Sequence, residues 1–139
     1  MGRRARIAGA IVELMEQRGL HAWTLDELHA SLASGGEGAD FSSVFRSVAR
    51  LESLGSLRRV ALDDGKSRFE LDGEHHDHMI CDRCGAVAPV PCRVVDAGLG
   101  EVEAATGFRV LDHRLVLSGV CPECLAVESE HPEGRAVRA

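Results

Sequence analysis

The chain is 139 residues long and 45% hydrophobic but only 4% aromatic, which suits one ordinary domain or two small ones with an aliphatic core. No run of about 18 apolar residues occurs, and the start Met1-Gly2-Arg3-Arg4-Ala5-Arg6 leads straight into a helical pattern; neither a membrane span nor a secretory signal is expected, and a cytoplasmic protein is. The net charge of −6 looks adverse to nucleic-acid binding, yet residues 1–62 carry eight arginines against seven acids, whereas residues 63–139 carry eight basic residues against fifteen acids.

Residues 3–18 place Ile7, Ile11, Leu14 and Met15 at helical spacing and close on Arg18 and Gly19, which predicts a first helix. After the linker Leu20-His21-Ala22-Trp23, Thr24 and Glu27 stand three apart as in a capping box. Leu25, Leu28 and Leu32 continue as a second helix that ends in Ser34-Gly35-Gly36-Glu37-Gly38. Asp40 or Ser42 opens a third helix through Val44, Phe45, Val48, Leu51 and Leu54, stopped by Gly55. Leu57 to Leu62 and Ser67 to Leu71 flank the turn Asp63-Asp64-Gly65-Lys66 and predict a hairpin. Three helices followed by a hairpin is the order of a winged helix, whose third helix enters the major groove. Ser42, Ser43, Arg46, Ser47 and Arg50 then form a face suited to DNA, with Arg46 placed for a base edge and the others for phosphates. The same face also reads as an ordinary solvated one, and charge alone does not separate the two readings.

Asp72-Gly73-Glu74 reads as a hinge. Beyond it, Ala86 to Val90 predicts a short strand broken by Pro89 and Pro91, and residues 93–106, with Val94, Val95, Leu99 and Val102, a helix containing Gly98 and Gly100. Phe108 to Leu117 alternates as a strand, and the tail from Glu128, with His131, Pro132 and Gly134, is expected to be disordered.

Two pairs, Cys81-x-x-Cys84 and Cys121-x-x-Cys124, supply four thiolates, the soft tetrahedral set that a structural zinc site requires. Cys92 is the odd cysteine and reads as an inert apolar residue, with a reactive thiol or a spare ligand as alternatives. Beside the first pair stands His75-His76-Asp77-His78. If this segment is a strand, His76 and His78 face one side and His75 and Asp77 the other, so one strand feeds two sites of imidazole and carboxylate. Such ligands are harder and more exchangeable than thiolates, the chemistry of sensing. The plain alternative is a solvated histidine patch.

Taken together these residues resemble the ferric uptake regulator (Fur) family of metal-dependent transcriptional regulators. The resemblance is carried by His75 through Gly85, by Ser43-Val44-Phe45-Arg46 where the family has Thr-Val-Tyr-Arg, and by Gly107-Phe108-Arg109-Val110 with His113-Arg114-Leu115 ahead of Cys121 and Cys124. It covers roughly residues 3–126. It implies an α+β homodimer: an N-terminal winged-helix DNA-binding domain over 1–71, a hinge at 72–74 and a C-terminal α/β dimerisation domain with a four-cysteine zinc site over 75–127, leaving 128–139 as the tail. By the resemblance, His21, Glu70, His76 and His78 hold a regulatory divalent metal between the two domains. His75, Asp77, Asp96 and His113 form a second metal site, and Phe45 joins the DNA-binding residues.

The implied function is a metal-responsive repressor that binds a double-stranded DNA operator and has no membrane or small organic partner. The expected cofactors are a structural Zn2+ and a regulatory Fe2+, with Zn2+, Mn2+ or Ni2+ as alternatives. Several departures bear on that choice. The linker around His21 is one residue longer than usual, and Pro89 stands where many iron and peroxide sensors have a carboxylate, which weakens a peroxide-responsive reading. Leu71-Asp72-Gly73-Glu74 lacks the cysteine frequent in zinc sensors, so Glu70 favours iron. Phe45 lacks the hydroxyl of the usual tyrosine. An enzyme is not expected: a zinc hydrolase or deaminase needs an open coordination position, and the cysteine set is closed. A metal-storage protein with a degenerate DNA-binding half is the remaining alternative.

Overall fold

Ile7, Ile11 and Met15 fall four apart along α1 (Arg3–Arg18), and all are buried in the computed structural model, which describes residues 2–18 and 21–130. The chain divides into two units, Met1–His75 and His76–Ala139. In the first, β1 (Trp23–Thr24) leads into α2 (Leu25–Ser34). The capping box is formed: the Thr24 side chain accepts from the Glu27 N–H at 3.1 Å, and the Glu27 carboxylate takes the Thr24 N–H at 3.4 Å. Next comes α3 (Phe41–Ser53), with Asp40 as N-cap and Gly55 at φ +77 just beyond its end.

The stripes of the three helices, Ile7, Ile11, Met15, Leu28, Leu32, Val44, Val48 and Leu51, meet Trp23, Leu57 and Phe69 in one core. A fully buried side chain of this kind contributes about 2 kcal/mol. The hairpin is β2 (Leu57–Val60) and β3 (Arg68–Leu71), paired from Leu57↔Leu71 to Val60↔Arg68. β1 adds to the other edge of β3, giving the order β1-β3-β2. The three helices and hairpin expected from the sequence are therefore present. The end of the linker and the cap of α2 also contribute a short strand, because Trp23 and Thr24 pair with Phe69 and Arg68.

Arg68 fixes that corner although only 2% of it is exposed. Its guanidinium donates to Asp64 at 2.8 and 3.0 Å and to the Ala22 carbonyl at 2.9 Å. Truncating Arg68 takes this donor from the part-buried Asp64 carboxylate and from the carbonyl of the buried Ala22. Arg68→Ala is expected to lower the unfolding free energy of this unit by about 3 kcal/mol, read as a lower urea midpoint at unchanged slope. An unmoved midpoint would show that the network contributes nothing.

The second unit contains β4 (Asp77–Cys81), β5 (Val87–Val90), α4 (Cys92–Thr106), β6 (Val116–Gly119) and α5 (Pro122–Glu130). Its sheet runs β5-β4-β6, with β4 antiparallel to β5 and parallel to β6. Pro89 is tolerated because β5 is an edge strand. Gly107, at φ +75, ends α4 in the left-handed conformation that a glycine takes without strain.

Three expectations are corrected. The strand anticipated over Phe108 to Leu117 is confined to Val116–Gly119; the preceding residues alternate in polarity but join no ladder among the described residues. The tail expected from Glu128 begins instead as the last residues of α5, and its remainder lies outside the described residues. Third, Ser47 does not lie on the solvated face of α3. It is 6% exposed, since it is three residues from Val44 and four from Leu51 and so shares their buried stripe.

Candidate metal centres and nucleic-acid interface

The parallel pairing of β4 with β6 builds the cysteine cluster. It sets Cys81 opposite Gly119, two residues before Cys121, so both Cys-x-x-Cys turns arrive at the same end of the sheet. The Asp82 N–H donates to the Gly119 carbonyl at 2.8 Å, and the first turn closes by Gly85 N–H to Cys81 carbonyl at 3.0 Å with Gly85 at φ +76. The sulfurs of Cys81, Cys84, Cys121 and Cys124 all lie within 4.8 Å of one another, Cys84 and Cys121 at 3.7 Å.

Backbone N–H groups point at these sulfurs: Cys121 and Arg83 donate to Cys81 Sγ at 3.3 and 3.4 Å, and Cys124 donates to Cys121 Sγ at 3.5 Å. The Cys121 and Cys84 N–H groups lower the Cys81 thiol to about 6, while the Cys121 sulfur and burial push Cys124 up to about 12. One thiolate is thus prepared, and Cys84 and Cys124 resist ionising beside it. A divalent cation would supply the missing positive charge, and four converging sulfurs are a donor set that fits zinc.

The histidine run divides as strand alternation predicts, although β4 starts only at Asp77. His76 and His78 share a side, their rings 4.7 Å apart, with His78 buried and His76 half-buried. Asp77, 1% exposed, turns the other way: its Oδ2 meets His113 Nε2 at 2.8 Å and its Oδ1 accepts from the Leu115 N–H at 2.9 Å. His75 and Asp96 are exposed.

Two of the residues assigned to the regulatory set belong to the first unit. His21 Nε2 meets Glu27 Oε2 at 2.9 Å, and its ring packs edge-on to Trp23 at 5.0 Å. Glu70 is 4% exposed, and Arg58, its cross-strand partner, donates to it at 2.7 Å while reaching the Gly73 and Glu74 carbonyls at 3.3 and 3.2 Å.

Sequence reasoning missed two participants, Arg58 and Glu27 as a partner of His21; Cys92, for which a spare ligand was an alternative reading, places its sulfur within 4.8 Å of a His113 ring nitrogen. The hairpin register, in which Arg58 faces Glu70, was the available signal for the first. Burial raises the Cys92 thiol, and Asp77 and Asp96 raise it further.

On α3, Ser42, Phe45, Arg46 and Arg50 are exposed. Ser43 is half-buried and donates its hydroxyl to the Asp40 carboxylate. Arg46 and Arg50 join Arg4 of α1 around a groove of about 660 Å³ that also reaches Ser43 and Ser47. Three guanidinium groups on one exposed groove suit the phosphate backbone, with Arg46 and Phe45 projecting from the helix itself. Ser47 also lines this groove, although only 6% of it is exposed.

Residues 4–118 match the Ferric uptake regulator family. The chain is 33% identical over 122 residues to the ferric uptake regulation protein of Escherichia coli, covering 87% of this chain and 82% of that one. Among solved structures, a zinc-bound manganese uptake regulator aligns with a TM-score of 0.75 at 30% identity, covering 83% of this chain and 87% of that chain. The ferric uptake regulator of Francisella tularensis with iron aligns with a TM-score of 0.69 at 26% identity, covering 86% and 91%.

Proposed function

The chain belongs to the ferric uptake regulator family, and on that premise we propose that it is a homodimeric, metal-responsive repressor that binds operator DNA in the cytoplasm and senses iron(II). The observation that carries the reading is the pairing, in one sequence, of a helix presenting Arg46 and Arg50 with a metal-ligand set that is chemically divided. The thiolate cluster is suited to permanent structural zinc, and the imidazole and carboxylate residues to an exchangeable ion.

For the regulatory ion we assign His21 and Glu70 with His76 and His78, and for a second ion His75, Asp77, Asp96 and His113. The bound ion supplies charge and fixed bond directions. The chain supplies the rest: Glu70 is a desolvated carboxylate whose charge Arg58 balances, and the His76–His78 pair is held by β4. One carboxylate among imidazoles favours iron(II). Manganese(II) is the second reading, since the same donors suit it and a regulator of manganese uptake is among the structural relatives.

Dimerisation is supported by what the second unit leaves uncovered. Phe108 is 78% exposed and Leu111 88%, on a segment of alternating polarity that joins no ladder among the described residues, and Val94 and Val102 are exposed on α4. A second copy could cover this apolar surface and pair with the segment. No described helix is long and apolar enough to cross a membrane.

His78→Ala tests the sensor. The variant is expected to keep its fold and its cysteine-bound zinc, to bind one fewer metal per protomer by equilibrium dialysis, and to lose a tenfold or larger metal-dependent gain in DNA affinity. A metal response equal to that of the unaltered protein would remove His78 from the regulatory site.

A further inference from the structure

We propose that Cys92 is a metal ligand, its thiolate acting with His113 and supported by Asp77 in a mixed sulfur–nitrogen site for a thiophilic divalent cation such as zinc(II), apart from the four-cysteine cluster. The proposal deepens the reading of a second metal position given above and rests on it, but changes its donor set. The Cys92 sulfur and a ring nitrogen of His113 lie within 4.8 Å. Two ligands of one tetrahedral zinc, at bond lengths of about 2.3 and 2.0 Å, stand about 3.5 Å apart. A modest side-chain adjustment brings the pair to that spacing.

The rest of the arrangement suits a metal ligand pair. Asp77 is 1% exposed and holds His113 Nε2 at 2.8 Å while its second oxygen is anchored by the Leu115 N–H at 2.9 Å. A buried carboxylate that fixes the ring and tautomer of a histidine is the usual support of a metal-bound imidazole. Cys92 opens α4, following Pro91 at the N-cap; burial and the nearby acids favour its thiol in the absence of a cation, and a bound cation would favour the thiolate. Asp96 is one turn further along α4 and, with Asp77, makes the surroundings of the sulfur anionic. An anionic pocket holding a sulfur and an imidazole calls for a cation.

The consequence is selectivity. With imidazole and carboxylate alone, the second position would accept iron(II) or manganese(II) readily. A thiolate in the set turns it towards zinc(II) and other thiophilic ions. Loss of the sulfur should then cost zinc affinity by more than the roughly 10- to 100-fold typical of a merely supporting residue.

The test uses full-length protein whose cysteine cluster already holds zinc, titrated with cobalt(II) as a spectroscopic substitute. Unaltered protein is expected to gain a near-ultraviolet sulfur-to-cobalt charge-transfer band together with the visible ligand-field bands. Cys92→Ser should lose the charge-transfer band and bind zinc(II) at least 100-fold more weakly, with its circular dichroism unchanged. His113→Ala should lose the charge-transfer band and this site's share of the ligand-field bands, leaving those of cobalt(II) at the regulatory residues. If Cys92→Ser reproduces the unaltered spectrum and affinity while His113→Ala abolishes binding at this site, the second position exists but the thiolate assignment is overturned. If both variants bind as the unaltered protein does, the second position is overturned with it.

Discussion

Cys81→Ser is expected to remove zinc from the cysteine cluster and to unfold the second unit, leaving the protein monomeric or aggregated. Little else holds that unit together. Among the described residues its buried side chains are confined to β4, where Asp77, His78, Ile80 and Cys81 are enclosed, and neither α4 nor α5 buries a residue. A unit of this size without a substantial core depends on a metal or a partner. Cys81 is the most buried of the four cysteines and receives N–H bonds from both turns, through Arg83 and Cys121. Structural zinc contributes on the order of 10 kcal/mol of apparent binding free energy, and here that is folding free energy. Metal analysis, thermal melting and size-exclusion chromatography read the outcome. A folded dimer free of zinc would show that the cluster is not structural.

Arg46→Ala combined with Arg50→Ala is expected to reduce operator affinity by about a thousandfold or more, to the level of non-specific binding. Each base-edge contact is worth about 1–3 kcal/mol, and a dimer would lose two of them with Arg46 and two phosphate contacts with Arg50. Both side chains are exposed on α3, away from the buried stripe of Val44, Ser47, Val48 and Leu51, so stability and metal content should be unchanged. Fluorescence anisotropy against specific and scrambled duplexes separates the two levels. Specific binding that survives both changes would place recognition elsewhere.

What was legible in the sequence was whatever local chemistry decides. Thr24 and Glu27 announced the α2 cap because a capping box is complete within four residues, and the two Cys-x-x-Cys turns announced a tetrathiolate site because few other structures use that spacing. Ser47 was misplaced because serine is mostly exposed in proteins, whereas its side of α3 is set here by its neighbours rather than by its own polarity. The segment from Phe108 alternates like a strand, but a strand exists only through its ladder, and no described strand of the chain supplies one before Val116. The short β1 shows the converse, being defined entirely by Phe69 and Arg68 far along the sequence. Cys92 and His113 are 21 positions apart, and only the course of the chain from α4 to β6 brings them together. Arg58 and Glu27 belong to the same class, since each acts through a partner that pattern alone did not pair with it.

The most direct test is anisotropy on the gene's own upstream DNA, using protein that retains its cysteine-bound zinc and titrating iron(II), manganese(II), nickel(II) and zinc(II) separately under anaerobic, metal-buffered conditions. The expected result is a tightening of tenfold or more by iron(II) at a free concentration that leaves the cysteine cluster intact. Affinity that no metal changes would contradict a metal-responsive repressor.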